Sequence, residues 1–409
     1  MKKIVLSVAL LIAGFYPTTF AQNSQDSKDG SYEKRKLKLN EVNFISSYYQ
    51  QDGNTSAVSG GIGSEALSDV GTSLDLSFSK YDFKNRLHTF NVDLNVDHYT
   101  SASSDRIDSP KGVETISSAS RSDTHFYPSL SWNVKNDKTG ITKGISLSYS
   151  TEYDYKSYGI NLNFTKLSKD KNREFTVKGG AFFDTWSVIL PIENRPEGYG
   201  SGSEKDNDPI DYKPRNSYNL AFSLSQVINK RMQVLAIVEP SYQEGLLSTP
   251  FHRVYFTDGI ENVERLPGKR FKLPIGMRLS YFLGDRTIIR AFYRYYLDNW
   301  GMTANTINLE GTVKLSPYLS ISPFYRFNQQ TAVKYFNPYG LNKSTSAYYT
   351  SDYDISAFNT NFIGSGVRIM PPNGVMGIKE FSSLELRYGH YTRTTGMVAN
   401  IVTLAMKFK

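Results

Sequence analysis

The sequence contains no cysteine in 409 residues, and this absence removes several kinds of chemistry. It excludes disulfide bonds, thiolate metal sites and cysteine nucleophiles. Histidine is scarce as well, with five residues scattered along the chain. No glycine-rich phosphate loop, haem motif, zinc motif or EF-hand spacing is present. We therefore predict no cofactor and no metal site, and we do not expect an enzyme.

Long apolar runs are also missing after the first fifteen residues, and none approaches the roughly 18 apolar residues that a membrane helix needs. The first residues do form a short apolar stretch, Ile4 to Phe15, which follows Lys2 and Lys3 and precedes small residues ending at Ala21. This pattern predicts a secretory signal peptide over residues 1–21. Residues 22–35 are polar and are predicted to form a periplasmic N-terminal segment.

Strong charge of one sign is the third absence. The formal net charge is +8, which is modest for this length, and the basic residues are scattered rather than clustered. Nucleic-acid-binding proteins usually carry a basic patch or stripe. We therefore exclude a nucleic acid as the partner.

Alternation of apolar and polar residues with a period of two dominates the rest of the chain. It is clearest between Arg286 and Phe327, where three consecutive segments alternate. One face of these segments includes Ile289, Tyr293, Ile307, Leu309, Ile321 and Tyr325. The break at Asp298-Asn299-Trp300-Gly301 is predicted to be a tight external turn where an aromatic girdle meets a basic wall.

About sixteen such segments follow one another over residues 36–409, the fourteenth running from Tyr353 to Ile369. Segments of roughly ten residues can cross a bilayer at a tilt, and long connections alternate with short ones. A sheet in hydrocarbon must close on itself because every backbone polar group needs a partner there. The sequence therefore predicts an all-β, closed antiparallel transmembrane β-barrel with short periplasmic turns and long external loops. The alternative is a soluble β-sandwich, but no domain break and 29 tyrosines count against it.

If the apolar face contacts lipid, the polar face lines the lumen. Acidic residues are concentrated on the second and third predicted strands, and arginines on the tenth to fifteenth. Across a closed ring these sectors could face each other and form a constriction with a transverse field. The alternative is a salt-bridged network that stiffens the wall or fills a plugged barrel. The candidate lumen residues are Asp75, Asp93, Asp97, Lys178, Arg278, Arg290, Arg294, Glu310, Arg326, Glu385 and Arg387.

Two histidines raise the possibility of a hydrolase site at the outer rim. His98 follows Asp97, and His125 lies two residues after Asp123. Adjacent residues on a strand point to opposite faces, so proximity in sequence does not bring His98 and Asp97 together. An ordinary interfacial role is the default interpretation, and no catalytic residue is assigned.

Several stretches resemble the family labelled domain of unknown function 3570. They are VDLNVDHYTSASSDRID, SLSYSTEYDYKSYGINLNFT, STPFHRVYF followed by ERLPGKR, FYRYYLDNWGMTANT, ISPFYRFNQQTAVKYF and TSDYDISAF. The segment from Tyr293 to Thr306 is the most specific, and the Ser-, Thr- and Tyr-rich strands look like the Bacteroidetes-type branch. The resemblance implies an outer-membrane barrel of a Gram-negative bacterium. It also implies a periplasmic lipoprotein or redox partner, and it supplies no catalytic residue.

The leading hypothesis is thus an outer-membrane channel or conduit for small solutes, with outer-membrane lipids around it and a charged lumen inside. The alternative is a filled barrel that acts as a scaffold for a periplasmic lipoprotein or redox partner. An outer-membrane hydrolase is kept as a third hypothesis.

Overall fold

The computed structural model describes residues 35–100, 122–194, 196 and 209–409, and one compact unit spans Leu37–Lys409. The predicted signal peptide, residues 1–21, and all but the last residue of the predicted periplasmic segment lie outside the described residues. Among the described residues, no helix is long and apolar enough to cross a membrane.

Antiparallel strands make up almost the whole of this unit. In chain order they are β1 (Lys38–Asp52), β2 (Leu67–Tyr81), β3 (Leu87–Thr100), β4 (Ser122–Phe126), β5 (Ser129–Asn136), β6 (Ile141–Thr151), β7 (Tyr155–Leu167), β8 (Arg173–Val188), β9 (Asp211–Asn229), β10 (Met232–Val238), β11 (Ser241–Gly245), β12 (Arg253–Tyr255), β13 (Glu261–Val263), β14 (Lys269–Leu283), β15 (Thr287–Asp298), β16 (Thr303–Lys314), β17 (Leu319–Gln330), β18 (Phe358–Ile369), β19 (Phe381–Arg393) and β20 (Val398–Phe408). The described helices are single 3-10 turns at Ala57–Ser59, Ile192–Asn194, Tyr353–Ile355 and Val375–Gly377.

Pairing of the first strand with the last closes the sheet into a barrel. β1 pairs with β20 from Val42↔Phe408 to Asp52↔Val398, and each wall strand pairs with its neighbours in chain order. β4 and β5 share one position between β3 and β6, and β10 and β11 share one between β9 and β14. β12 and β13 form a separate hairpin. The ring therefore has sixteen positions, as predicted from the sequence.

Proline explains both split strands. The break between β4 and β5 contains Pro128, and the break between β10 and β11 contains Pro240. Proline has no N–H to give to the ladder, although each carbonyl still accepts one, from Tyr149 at 3.1 Å and from Leu220 at 2.9 Å. The period-two pattern continues across each break, so the sequence shows one strand where the structure has two.

The fourteenth predicted strand begins too early. Tyr353–Ile355 is a 3-10 turn, and β18 starts only at Phe358. The Asp352 side chain caps the turn by accepting a hydrogen bond from the Asp354 N–H at 2.8 Å. Local capping of this kind competes with strand pairing, which explains the wrong boundary.

Connections differ between the two ends of the barrel. At the turn end they are residues 82–86, 137–140, 168–172, 230–231, 284–286, 315–318 and 370–380. At the loop end they are residues 53–66, 101–121, 152–154, 189–210, 246–268, 299–302, 331–357 and 394–397. Five of these eight loop-end connections are long, and the turn-end connections are short except for residues 370–380. Both β1 and β20 have their outer chain ends at the turn end, so the alternation agrees with the sequence prediction.

The two faces of the wall are chemically distinct. Large apolar side chains on one face are exposed, among them Leu130, Leu147, Leu162, Met277, Leu309 and Ile363. On the other face, Arg387 of β19 reaches Glu310 of β16 at 3.0 Å although β17 and β18 lie between them. Side chains separated by two strands can meet in this way only across the inside of the curved wall, on its concave side. The polar face is therefore the inner one, and the apolar face suits contact with hydrocarbon.

Candidate functional site

A network of charged side chains joins four of the predicted lumen residues on the inner wall. Glu310 accepts from Arg290 Nη1 at 2.9 Å and from Arg387 Nη2 at 3.0 Å. Glu385 accepts from Arg387 Nη1 at 3.2 Å and from Arg368 Nε at 2.7 Å. Arg368 was not among the predicted residues, although its place on the polar face of β18 follows the same period of two. The four strands β15, β16, β18 and β19 are thereby connected by charge-assisted hydrogen bonds.

Aromatic rings contact two arginines of this part of the wall, Arg387 and Arg326. The Arg387 guanidinium lies 5.1 Å from the centroid of the Phe324 ring, and that of Arg326 lies 5.7 Å from the Phe362 ring. The two ring centroids are 5.1 Å apart. Such cation–π contacts hold a guanidinium over a ring face and limit its freedom.

Glycine makes room for these rings. A Cβ added at Gly364 would lie 2.5 Å from Phe324 Cζ and 2.1 Å from the backbone oxygen of Tyr388. One added at Gly389 would lie 2.5 Å from the Phe362 ring. The rings therefore occupy space that only glycine leaves free, and the arginines above them depend on it.

We expect Gly364→Ala to lower the free energy of unfolding by about 1–3 kcal/mol, because the added methyl group meets a ring and a backbone atom that cannot both move. Gly311→Ala on β16 is the matched control, since a Cβ there meets nothing within 4 Å. Urea unfolding in lipid vesicles measures both. Equal midpoints for the two variants would contradict the packing described for Phe324.

An acidic sector lies on β2 and β3 and contains three predicted residues. Asp75 and Asp93 are direct cross-strand partners. Hydroxyl groups donate to all three carboxylates: Ser73 to Asp75 at 3.1 Å, Ser129 to Asp93 at 2.7 Å and Tyr127 to Asp97 at 2.8 Å. Hydroxyl donors carry no charge, so these three aspartates have hydrogen-bond partners but no counterion among those donors.

Further acids, which the sequence pattern did not reveal, extend this sector toward the loop end. Glu152 and Asp154 belong to the connection 152–154, and their ligand atoms lie within 4.8 Å of each other and of Asp123. Burial, and then the neighbouring Glu152, raise the pKa of Asp154 to about 6. Glu152 and Asp154 lie between strands, where the alternation of residues does not predict which way a side chain points.

The arginines of β14 and β15 form a basic sector, which lies half a ring away from the acidic sector of β2 and β3. β2 and β3 occupy the second and third of the sixteen positions, and β14 and β15 occupy the tenth and eleventh. Arg278 on β14 and Arg290 and Arg294 on β15 therefore lie opposite the aspartates. Arg278, Arg294 and Lys178 of β8 are exposed on the inner face and form no ion pair with another described residue.

Between the two sectors, the inner wall forms a recess of about 260 Å³. Arg215 lies 5.1 Å from the rings of both Tyr155 and Trp186, and its Nε donates to Asp184 at 3.1 Å. The other Asp184 oxygen and Trp186 Nε1 are buried and have no partner among the described residues. Lys272 also lines the recess. The recess thus presents two basic side chains, Arg215 and Lys272, and the Asp184 carboxylate to a small polar solute.

The structure separates the two rim histidines considered for hydrolysis. His98 lies on the outer face, opposite in direction to Asp97, and hydrogen-bonds the Thr124 hydroxyl at 2.9 Å. His125 faces inward, with Nε2 2.6 Å from Ser150 Oγ and Nδ1 3.3 Å from Glu152 Oε1. Serine, histidine and carboxylate stand here in the order of a hydrolytic triad. Of the two histidines considered from the sequence, the pleat brings only His125 to an acid.

Loop-end connections fold over the barrel mouth and form the loop-end cap (residues 53–66, 189–194, 246–268, 299–302 and 331–357). Arg253 donates to the Val58 carbonyl at 2.9 Å and to Glu193 at 2.5 Å. Loop 53–66 joins the first two ring positions, and loop 246–268 joins the ninth and tenth. Their contact at Arg253 therefore crosses the mouth along a diameter.

The cap has apolar clusters of its own. Leu266, Trp300, Met302 and Val333 form one buried cluster, and Val254, Phe256 and Tyr349 form another. The turn at Trp300 is tight, as predicted, but the interpretation of its surroundings is wrong. Trp300 is 2 % exposed and donates to the Lys269 carbonyl at 3.0 Å, so it packs inside the cap instead of joining a lipid-facing girdle.

Two glutamates share the buried Arg253 guanidinium. Burial, and then the adjacent Glu193 carboxylate, raise the pKa of Glu261 to about 7. Burial acts in the same direction on Glu193, but hydrogen bonds from Arg253 and Glu261 outweigh it and hold the pKa of Glu193 below its ordinary value. One arginine thus stabilises one ionised glutamate, while the second keeps its proton to near neutral pH.

A family model described as "Protein of unknown function (DUF3570)" matches residues 109–399, which leaves β1 to β3 outside the matched range. No curated protein is significantly similar in sequence. Similar solved structures include OccD3 of Pseudomonas aeruginosa, with 9 % identity, 91 % of each chain covered and a TM-score of 0.44. They also include a BenF-like porin of Pseudomonas fluorescens (9 %, 90 % of this chain and 98 % of that one, 0.42) and a bacterial polysaccharide outer membrane secretin (10 %, 90 % and 98 %, 0.44). Similarity at this level identifies no shared solute.

Proposed function

The chain belongs to the DUF3570 family, and we propose that it is an outer-membrane conduit for small charged solutes in a Gram-negative bacterium. The observation that carries the proposal is the opposition of two charge sectors on the inner wall of a closed sixteen-position barrel. An export signal over residues 1–21 and the lipid-compatible outer face support the location. The Ser-, Thr- and Tyr-rich strands support a Bacteroidetes-type origin.

Opposed charges create a field across the lumen. Arg278, Arg290 and Arg294 lie on one side, and Asp75 and Asp93 lie half a ring away. A wall of low dielectric constant focuses such a field, so a solute that carries both charges is oriented as it passes. The recess lined by Arg215, Lys272 and Asp184 supplies contacts of both charges for a small polar solute of this class. Passage also requires the loop-end cap to leave or open a path.

Neutralising the basic sector and neutralising the acidic sector are expected to shift ion selectivity in opposite directions. A triple variant Arg278→Gln, Arg290→Gln and Arg294→Gln should favour cations, and Asp75→Asn, Asp93→Asn and Asp97→Asn should favour anions. The interaction energy between one wall charge and an ion 4 Å away in water is about 1 kcal/mol, so the ratio of cation to anion permeability should change about two- to fivefold. Reversal potentials of the purified protein in planar bilayers under a salt gradient measure this change.

Lys84→Gln, in the exposed turn 82–86, is the matched control and should leave the reversal potential unchanged. Equal shifts for all three variants would contradict the transverse field. Absence of conductance at every voltage, in the wild type and in a variant with a loosened cap, would contradict the conduit itself. The scaffold alternative would then be favoured, and recovery of a periplasmic lipoprotein or redox protein with the barrel from native membranes would support it.

A hydrolase remains the second candidate because of the Ser150–His125–Glu152 arrangement. A serine next to a neutral histidine can act as a nucleophile when the histidine takes its proton. In that case the purified protein hydrolyses a nitrophenyl ester, and Ser150→Ala abolishes the activity while Ser148→Ala does not. Equal rates for the wild type and Ser150→Ala would exclude this function.

A further inference from the structure

One cluster of potential metal ligands in the loop-end cap has no part in the conduit. His252 Nδ1 lies 3.9 Å from Glu264 Oε1 and 3.9 Å from Asp352 Oδ2. One ligand atom from each of the three residues lies within 4.8 Å of the others. The Glu264 side chain is only 2 % exposed, and those of His252 and Asp352 are 17 % and 20 % exposed. Three side chains of the types that bind metal ions therefore meet at one enclosed point.

Hydrogen bonds orient the two carboxylates toward this point. Glu264 accepts from the Thr350 hydroxyl at 2.5 Å and from the Thr249 N–H at 2.8 Å, which fixes both of its oxygens. Asp352 uses its Oδ1 to cap the 3-10 turn, so that Oδ2 is left facing His252. Outer hydrogen bonds of this kind hold carboxylate ligands in place in metal sites.

The histidine atom that faces the carboxylates is unpartnered. His252 Nδ1 is buried and has no hydrogen-bond partner among the described residues. Its distances of 3.9 Å to both oxygens are too long for hydrogen bonds. Two ligands that each lie about 2.0–2.2 Å from one ion are separated by up to about 4.3 Å, so the same distances fit an ion between them.

We propose that His252, Glu264 and Asp352 bind one divalent first-row transition-metal ion of the Zn²⁺ class. One imidazole and two carboxylates suit such ions, whereas Ca²⁺ and Mg²⁺ prefer sets made only of oxygen. His252 and Glu264 belong to loop 246–268, and Asp352 belongs to loop 331–357. The ion therefore bridges two parts of the loop-end cap and neutralises the Glu264 and Asp352 carboxylates. This inference does not depend on solute passage through the barrel.

Titration of the metal-stripped, full-length protein in detergent with Zn²⁺, Mn²⁺, Ca²⁺ and Mg²⁺ tests the proposal. We expect one Zn²⁺ per chain and much weaker binding of Ca²⁺ and Mg²⁺. His252→Ala should weaken Zn²⁺ affinity by more than about 100-fold, since even supporting residues are typically worth 10–100-fold. His98→Ala, which removes an exposed histidine of the outer face, is the control and should bind Zn²⁺ like the wild type.

Asp352→Asn supplies a second variant that keeps the size of the side chain and its role as a cap. It should also lose Zn²⁺ affinity, and limited proteolysis without metal should show that its cap remains folded. X-ray absorption of the Zn²⁺-loaded wild type should show a single imidazole among nitrogen and oxygen ligands. Zn²⁺ binding that is equal in the wild type and His252→Ala, or the absence of binding in the wild type, would overturn the proposal.

Discussion

Arg253→Met is expected to destabilise the loop-end cap by about 1–3 kcal/mol while the barrel wall stays intact. The Arg253 side chain is 2 % exposed and donates to Glu193 and to the Val58 carbonyl. Methionine keeps much of the aliphatic volume but leaves the Glu193 carboxylate without its cation and the Val58 carbonyl without its donor. The cost is the loss of charge-assisted hydrogen bonds that the buried guanidinium makes to two loops. The two loops that meet across the mouth then lose their link.

Hydrogen exchange measures this effect segment by segment. Residues 53–66 and 246–268 should lose protection in Arg253→Met, and the strands β14 to β20 should keep theirs. Arg265→Met, at an exposed position of the same loop, is the control. In planar bilayers the Arg253→Met protein should conduct more often than the wild type, because the mouth is less covered. Unchanged protection of both loops would mean that Arg253 does not hold them together.

The second large effect is a dependence of cap stability on pH. The pKa of Glu261 is raised from 4.5 to about 7 by burial and by Glu193, and the groups that face it are Glu193, Arg253 and Tyr255. Because the folded cap binds this proton more tightly than the unfolded loop does, the stabilisation is fully present below pH 4.5. It is lost as the pH rises to about 7, by an amount on the order of 3 kcal/mol.

Asp352 adds to this dependence with the same sign. Burial raises its pKa to about 6, so its proton is also held more tightly in the folded cap. The depressed pKa of Glu193 acts in the opposite direction, but its contribution is lost only below the ordinary range of a glutamate. Between about pH 4.5 and 7 the cap should therefore become less stable as the pH rises.

Limited proteolysis of the cap at pH 5 and pH 8, with a chelator present, checks the expectation. Cleavage should be slower at pH 5, and Glu261→Gln should resist cleavage at pH 8 as the wild type does at pH 5, because glutamine is neutral at both values. Glu380→Gln, at the turn end, should behave like the wild type. Equal cleavage of the wild type at both values would contradict the role of the Glu261 proton.

Much of the wall could be predicted from the sequence because alternation is a local property of a pleated strand. The segment from Arg286 to Phe327 shows this, since its strands and their polar and apolar faces follow directly from the order of residues. Counting the alternating segments and the residues between them predicted the number of strands and the long and short connections, and the absence of water in hydrocarbon required the sheet to close. The position of Arg368 on the polar face of β18 could also have been predicted from this alternation.

Partners across the lumen and within the cap were decided only by the tertiary structure. Arg387 meets Glu310 because the wall curves, and the amount of curvature is not written in any single strand. The cap has no period, and it brings His252, Glu264 and Asp352 together from two loops through packing around Trp300 and Val254. The sequence by itself thus determined a closed, two-faced sheet, because each residue of a strand obeys the same local geometry. Which charges meet, and what covers the mouth, depended on long-range packing that no local pattern encodes.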